Sequence, residues 1–141
     1  MDHPHFATIL ILSHDPAIQF WMNKHLVPSF FLIFAENEEE ALVSAQNTEL
    51  TFVIVDAEMS HPEILDTCKQ LHQILKNATP ILLMTGSLKK QFLDKAKKSG
   101  VSAFLIRPPD WEDLQKQIEL LRKAGSMQNK ANRIINPDVE S

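Results

Sequence analysis

Short apolar runs recur along the chain at intervals of about 25 residues, and the segments between them carry apolar residues at helical spacing. The runs are continuous instead of alternating, which is the pattern of strands covered on both faces. We therefore expect five buried strands separated by helices. The strand runs are residues 8–12, 30–34, 52–56, 81–85 and 103–106.

Helix boundaries are marked by residues that satisfy the free backbone groups of a helix end. Asp15 followed by Pro16 predicts the start of the first helix, and Asn37 with Glu40 predicts the start of the second. Gly100 predicts a left-handed end to the fourth. The predicted inner faces are Ile18, Met22, His25 and Leu26; Ala41, Leu42 and Ala45; Ile64, Cys68, Leu71 and Leu75; Leu88, Phe92 and Ala96; and Trp111, Leu114, Ile118 and Leu121.

Five strands alternating with five helices predict an open, doubly wound α/β domain, because right-handed crossovers place helices on both faces of a parallel sheet. In such sheets ligands bind beyond the carboxyl ends of the strands. An acid, a hydroxyl and a cation are therefore expected to meet at that edge. The residues at these strand ends are Ser13, His14 and Asp15; Asp56 and Glu58; Thr85 and Gly86; and Arg107 and Pro108.

Composition narrows the class of protein. The 141 residues, 44% of them hydrophobic, suffice for one globular core, which we place at residues 6–122, with 123–141 as a polar C-terminal tail or linker. The net charge of −4 argues against nucleic-acid binding, and no apolar run approaches the ~20 residues that cross a membrane. The lone Cys68 excludes a disulfide framework, and no secretory signal precedes the first strand, so we expect a cytoplasmic protein.

Several motifs, taken in order, resemble the response-regulator receiver domain of two-component signalling over roughly residues 6–122. The resemblance implies a flavodoxin-like, chemotaxis-regulator-like (βα)5 fold with a five-stranded parallel sheet in the order 2-1-3-4-5. The matching segments are 9–12 with Asp15 and Pro16; 35–37 with 40–42; 53–56 with Met59; and 80–85, 99–104 and 105–108.

The resemblance also implies roles for particular residues. Asp56 matches the phosphoacceptor, which receives a phosphoryl group from a phosphohistidine on a histidine kinase or phosphotransfer protein. Thr85 and Phe104 match the hydroxyl and the aromatic residue that respond to the phosphoryl group, and Arg107 stands where the family has lysine. Pro108 matches the proline that follows a cis peptide bond in the family. The partner or homodimer surface would be the fourth helix, fifth strand and fifth helix.

The chain departs from the family at the metal site. The family's two acidic residues after the first strand, which hold Mg²⁺ together with the phosphoacceptor, are here Ser13 and His14. Mg²⁺ prefers charged oxygen ligands, so we expect weak Mg²⁺ binding or none. Asp15 and Glu58 are the remaining candidate ligands beside Asp56, although Asp15 also suits a helix cap. Arg107 either senses a phosphate or forms a static ion pair with Asp56 or Glu58.

Three functions stay open at this point. The first is a receiver in a phosphorelay, phosphorylated on Asp56 with impaired help from a metal. The second is a docking or dimerisation domain that works without phosphorylation, for which the basic fourth helix, with Lys89, Lys90 and Lys95, suggests an acidic partner. The third is a nucleotide-binding enzyme of flavodoxin-like architecture, which the absence of glycine from residues 13–16 disfavours.

Overall fold

The computed structural model describes residues 7–57, 62–76 and 79–135, and five strands alternate with five helices along them. The predicted positions of the strands are confirmed to within a residue. The elements are β1 (Thr8–Leu12), α1 (Pro16–Leu26), β2 (Phe31–Ala35), α2 (Glu38–Asn47), β3 (Phe52–Ala57), α3 (Pro62–Leu75), β4 (Ile81–Thr85), α4 (Lys90–Lys98), β5 (Ala103–Ile106) and α5 (Trp111–Ile135).

The strands form one parallel sheet in the order β2-β1-β3-β4-β5. In its register Leu12 lies opposite Ala35 and Val55, and Thr85 lies opposite Ala57. The carboxyl ends of β1, β3 and β4 therefore share one edge of the sheet. The predicted fold class and strand order are confirmed.

Side chains alternate between the two faces of the sheet, and both faces are buried at its centre. One face contributes residues such as Leu10, Val53 and Leu83 to a core that also contains buried residues of α2, α3 and α4. Residues of the opposite parity, such as Ile11 and Ile54, are buried as well. The edge strands β2 and β5 are the exceptions, since Phe31 of β2 is 60% exposed and Ile106 of β5 is 50% exposed.

Caps fix the starts of the first two helices as the sequence predicts. The Asp15 carboxylate accepts a hydrogen bond from the Ala17 amide at 2.9 Å. Asn37 Oδ1 accepts one from the Glu40 amide at 2.9 Å, and Glu40 Oε1 accepts one from the Glu36 amide at 2.8 Å. Each bond satisfies a backbone donor that the helix itself leaves free, which ties the turn after β1 and the turn after β2 to defined positions.

The end of α4 is a Schellman motif built on Gly100. The Gly100 amide donates to Lys97 O and the Val101 amide donates to Ala96 O, both at 3.1 Å, while Gly100 has a φ of +100°. The predicted left-handed end is confirmed. The predicted inner face of this helix is wrong at Leu88, which precedes the first helical residue and is 61% exposed.

The chain divides into two compact units, Met1–Pro109 and Asp110–Ser141. The second unit contains α5, whose Leu114 and Ile118 are buried and whose backbone stays helical to Ile135, beyond the start of the predicted polar tail. The boundary between a receiver domain at 6–122 and a tail at 123–141 remains a prediction. None of the helices in the described ranges has the length and apolar character to span a bilayer.

Cys68 is fully buried on α3, and burial raises the pKa of its thiol to about 12. The thiol therefore stays protonated at neutral pH and packs as a small apolar side chain.

We expect Gly100→Ala to lower the free energy of unfolding by about 2 kcal/mol, because the alanine backbone would have to adopt a positive φ and its methyl group would overlap the His72 ring. Urea denaturation measures the change. Gly86→Ala is the matched control, because the nearest atom to its added methyl group is Arg107 O at 4.0 Å. Equal stability of the two variants would contradict the prediction.

Candidate functional site

Asp56 lies near the carboxyl end of the central strand β3 and is the most deeply buried charged group of the site. Its side chain is only 1% exposed, so its carboxylate requires partners that replace water. Both oxygens have such partners: Oδ2 accepts a hydrogen bond from the Ser13 hydroxyl at 2.7 Å, and Oδ1 accepts one from Arg107 Nε at 2.8 Å. The carboxylate is thus held on both sides.

Ser13, directly after β1, is fixed by its own hydrogen bonds. Its amide donates to Ala35 O at 2.9 Å, and its carbonyl accepts from Gln19 Nε2 at 2.8 Å. Its hydroxyl also accepts from the Asp15 amide at 3.2 Å. Since β1 and β3 are neighbours in the sheet, these bonds aim the hydroxyl at Asp56 from the adjacent strand end.

Arg107 follows β5 and joins two carboxylates. Besides the Asp56 contact, its Nη2 donates to Asp15 Oδ2 at 2.6 Å, and its backbone amide donates to Thr85 O at 3.1 Å. The arginine side chain is 21% exposed and the Asp15 side chain is 26% exposed, so this ion pair is partly shielded from solvent. One guanidinium therefore links the ends of β3 and β5 to the start of α1.

Electrostatics in the site favour the charged forms of Arg107 and Asp15. Burial works against the charge of Arg107, but hydrogen bonds and attraction from Asp56 and Asp15 outweigh it and raise the pKa of Arg107. The amide of Ala17 lowers the pKa of Asp15, partial burial opposes this shift, and Arg107 adds to it. The two carboxylates share one guanidinium, so both acids are paired and the cluster keeps one net negative charge.

A cleft of about 270 Å³ opens beside Asp56, between the ends of β1 and β3, the turn before α2, and α3. His14 is exposed on its wall, whereas Ser13 is buried at its base. The cleft is lined by Leu12, Ser13, His14, Glu36, Asn37, Glu38, Asp56, Ala57, Ile64 and Thr67.

Thr85 lies on β4, next to the strand of Asp56, and Phe104 lies one strand further away, on β5. Thr85 is buried at the end of β4, and its hydroxyl accepts a hydrogen bond from the Ser87 amide at 3.0 Å. Phe104 of β5 lies opposite Leu83 of β4, and its partly buried side chain packs against the core. The two residues therefore lie where the family resemblance expects them, and their switching role stays a prediction.

The structure brings Asp56, Asp15 and Arg107 into direct contact, while the expected ligand Glu58 lies outside the described residues. Asp15 is the expected helix cap and, in addition, an ion-pair partner that the sequence did not indicate. The hydrogen bond from Ser13 to Asp56 was not predicted, because Ser13 was considered only as the replacement of an acidic residue. The position of a hydroxyl at the end of the strand next to β3 could have indicated this bond. The Arg107–Pro108 peptide bond is cis, as the resemblance expects.

Mg²⁺ does not fit this arrangement of side chains. Asp56 and Asp15 direct oxygens at Arg107, and the guanidinium takes the place between them that a cation would need. Among the described residues, no three of the histidine, cysteine, aspartate and glutamate side chains are grouped to hold a metal ion. Weak Mg²⁺ binding, which would require Arg107 to leave both carboxylates, stays a prediction.

The model of the response regulator receiver domain family matches residues 9–119. The chain belongs to this family. Receiver domains are signalling modules of two-component systems, not enzymes, and they interact with histidine kinases or phosphotransfer proteins. The expected family is thereby confirmed, and membership removes the nucleotide-binding enzyme from the open functions. No curated protein sequence matches the chain.

Solved structures with this receiver fold share little sequence with the chain. The chemotaxis protein CheY4 of Vibrio cholerae is 22% identical, with a TM-score of 0.75 over 83% of this chain and 99% of that one. A CheY-like receiver domain protein of Methanospirillum hungatei JF-1 is 18% identical, with a TM-score of 0.78 over 88% and 99%. The signal receiver domain of an HD domain-containing protein from Pseudomonas fluorescens Pf-5 is 21% identical, with a TM-score of 0.76 over 92% and 96%.

We expect Arg107→Ala to lower the free energy of unfolding by about 3 kcal/mol at neutral pH, because it leaves the buried Asp56 carboxylate without its cation. Adding Asp56→Asn to this variant should restore part of the loss, since a neutral amide needs no cation. Urea denaturation measures both. Lys123→Ala, which breaks an exposed pair with Glu119, is the control and should cost no more than about 0.5 kcal/mol. A loss equally small for Arg107→Ala would contradict the prediction.

Asp15 provides a pH test of the same contact. Its pKa is lowered in the folded receiver domain, so the ionised carboxylate stabilises the fold above the unfolded-state pKa. That stabilisation is lost as the pH falls through the folded pKa. We expect Arg107→Ala to raise the pKa of Asp15 only part of the way to its ordinary value, since the Ala17 amide still donates to it. NMR titration of the side-chain carboxyl carbon measures this, and Lys24→Ala, an exposed change on α1, should leave it unmoved. An unchanged pKa in Arg107→Ala would refute the coupling.

Proposed function

We propose that this receiver domain works as a docking module whose surface does not depend on phosphorylation of Asp56. The observation that carries the proposal is the saturation of the Asp56 carboxylate, which is 1% exposed and bonded to Ser13 through one oxygen and to Arg107 through the other. This is the second of the functions that the sequence leaves open. It keeps the cytoplasmic location that the sequence predicts.

Phosphoryl transfer needs a free nucleophilic oxygen and a cation that neutralises the transferring group. Here each Asp56 oxygen already accepts a hydrogen bond, one from Ser13 and the other from Arg107, which lowers its nucleophilicity. The carboxylates that would attract a divalent cation are replaced by Ser13, which is committed to Asp56, and His14, which faces the cleft. Both requirements of the reaction therefore oppose phosphorylation in the resting protein.

The same contacts give the domain a fixed conformation at the strand ends. Arg107 supplies a permanent positive charge between Asp56 and Asp15, which offsets the repulsion of the two carboxylates without an added cation. Its backbone amide holds Thr85 O, which keeps the ends of β4 and β5 together. A partner would then recognise a constant surface, and regulation would come from the amount or location of either protein.

A second candidate is phosphorylation of Asp56, favoured by its position at the carboxyl end of β3 next to Arg107 and Thr85. In this mechanism the phosphoryl group leaves the imidazole nitrogen of a phosphohistidine and bonds to an Asp56 oxygen. Arg107 turns from the carboxylate to the phosphoryl oxygens, and Thr85 and Phe104 respond. Asp15 and Glu58 remain the candidate ligands for weakly bound Mg²⁺. The homodimer expected through the fourth helix, fifth strand and fifth helix belongs to this candidate.

Exposure to acetyl phosphate with Mg²⁺, followed by intact mass measurement, separates the two candidates. We expect no phosphoryl adduct on the wild-type protein. Ser13→Asp/His14→Asp/Arg107→Lys, which restores the family's acids and lysine, should form one adduct, and adding Asp56→Asn to that variant should abolish it.

The restored variant shows that the donor and the conditions are adequate. A wild-type adduct that is lost in Asp56→Asn would overturn the docking proposal in favour of phosphorylation. An adduct that persists in Asp56→Asn would place the modification on another residue.

A further inference from the structure

The helix α4 and the residue before it carry an unusual concentration of positive charge. Lys89, Lys90, Lys95, Lys97 and Lys98 are all exposed, although the whole chain has a net charge of −4. Within the described part of the chain no ion pair is found for these lysines. Asp94 is the acidic residue of α4, so residues 89–98 carry five positive charges and one negative charge. The segment is therefore strongly basic.

Three of these lysines surround a groove between α3 and α4. The groove has a volume of about 490 Å³, with Lys89, Lys95 and Lys98 at its walls and the apolar side chains of Leu65 and Phe92 within it. Asp66 is its one acidic lining residue. A groove with an apolar floor and a basic wall fits a segment that carries several carboxylates and aliphatic side-chain carbons.

This chain itself presents such a segment. Residues 36–40, at the start of α2, contain four glutamates and one asparagine, and all five residues are exposed. Glu40 accepts the Glu36 amide and Glu38 accepts Gln70 Nε2, but neither contact supplies a positive charge. The dipole of α2 favours acids at this end. Among the residues that the structure describes, no ion pair provides these glutamates with a counter-charge.

The acidic segment and the basic groove lie on either side of α3. Gln70 of α3 donates to Glu38 of α2, whereas Leu65 and Asp66 of α3 line the groove with α4. Buried residues of α2, α3 and α4 belong to the same core on one face of the sheet. Two copies related by a two-fold axis near α3 would thus bring each acidic segment opposite the other copy's groove.

We propose that two copies of this chain form a symmetric dimer in which residues 36–40 of each copy bind the lysine-lined groove between α3 and α4 of the other. The two contacts are equivalent, so the assembly closes as a dimer and does not grow into a filament. This surface includes α2 and α3, and it is therefore distinct from the fourth-helix, fifth-strand and fifth-helix homodimer. The proposal does not depend on whether Asp56 is phosphorylated.

Sedimentation velocity of the full chain over a range of concentrations tests the proposal. We expect a dimer whose dissociation constant rises at least about tenfold between ionic strengths of about 0.1 M and 1 M, where the Debye length falls from about 10 Å to about 3 Å. Charge reversal in either patch alone, Glu36→Lys/Glu39→Lys or Lys95→Glu/Lys98→Glu, should weaken the dimer at least about tenfold as well.

An equimolar mixture of the two reversed variants should restore association, because each copy then meets a complementary surface on the other. Lys24→Glu/Lys116→Glu changes the net charge as much as the lysine reversal does and should leave the dimer intact. Circular dichroism checks folding, and the milder Glu36→Gln/Glu39→Gln should weaken the dimer less than reversal does.

A wild-type chain that stays monomeric overturns the proposal. So does a dimer that is indifferent to the Glu36 and Glu39 changes, which would point to a surface without α2. Failure of the two reversed variants to associate when mixed overturns it too. In the mixed dimer one contact keeps its native charges and the other has its two charges exchanged, so both contacts are complementary, as the proposal requires.

Discussion

The guanidinium of Arg107, between the carboxylates of Asp56 and Asp15, is the interaction on which the edge of this sheet depends. A carboxylate as buried as Asp56 costs several kcal/mol to desolvate, and one hydroxyl from Ser13 does not offset that cost. Arg107 supplies the missing charge and, through its second contact, attaches the cap of α1 to the end of β5. The cation that pairs with Asp56 is therefore part of the chain and cannot dissociate.

A covalently attached cation changes what such a site can sense. A bound metal ion leaves and returns with concentration, whereas Arg107 stays charged, and both acids raise its pKa further. The two acids that the family resemblance expects are absent at Ser13 and His14, and the cation at the family's lysine position is Arg107. A pocket with fewer negative charges would hold Mg²⁺ poorly, and an arginine in that pocket removes the need for it.

Most of the fold could be predicted from the sequence because its determinants are local. Continuous apolar runs indicate buried parallel strands, and Asp15, Asn37 and Gly100 mark helix ends through bonds to residues at most five positions away. The position of each site residue at a strand end followed from the same pattern. Its partners did not follow from the pattern, since Asp15 and Asp56 both lie within the span of a flexible arginine and the choice of partner depends on tertiary packing. The prediction that Leu88 lies on the inner face of α4 was wrong for a related reason, because helical spacing alone does not indicate where the helix begins.

The distribution of charge separates the interior of the site from the surface that a partner would meet. Around Asp56 the opposite charges are adjacent and partly shielded from water, so moderate salt changes them little. On α4 and at the start of α2 the charges are exposed, and their interactions are the ones that salt and partner chemistry can modulate. In the docking function proposed above, the internal cluster would set the conformation and the exposed patches would select the partner. Specificity that arises in this way needs complementary surface charge but no chemical event at Asp56.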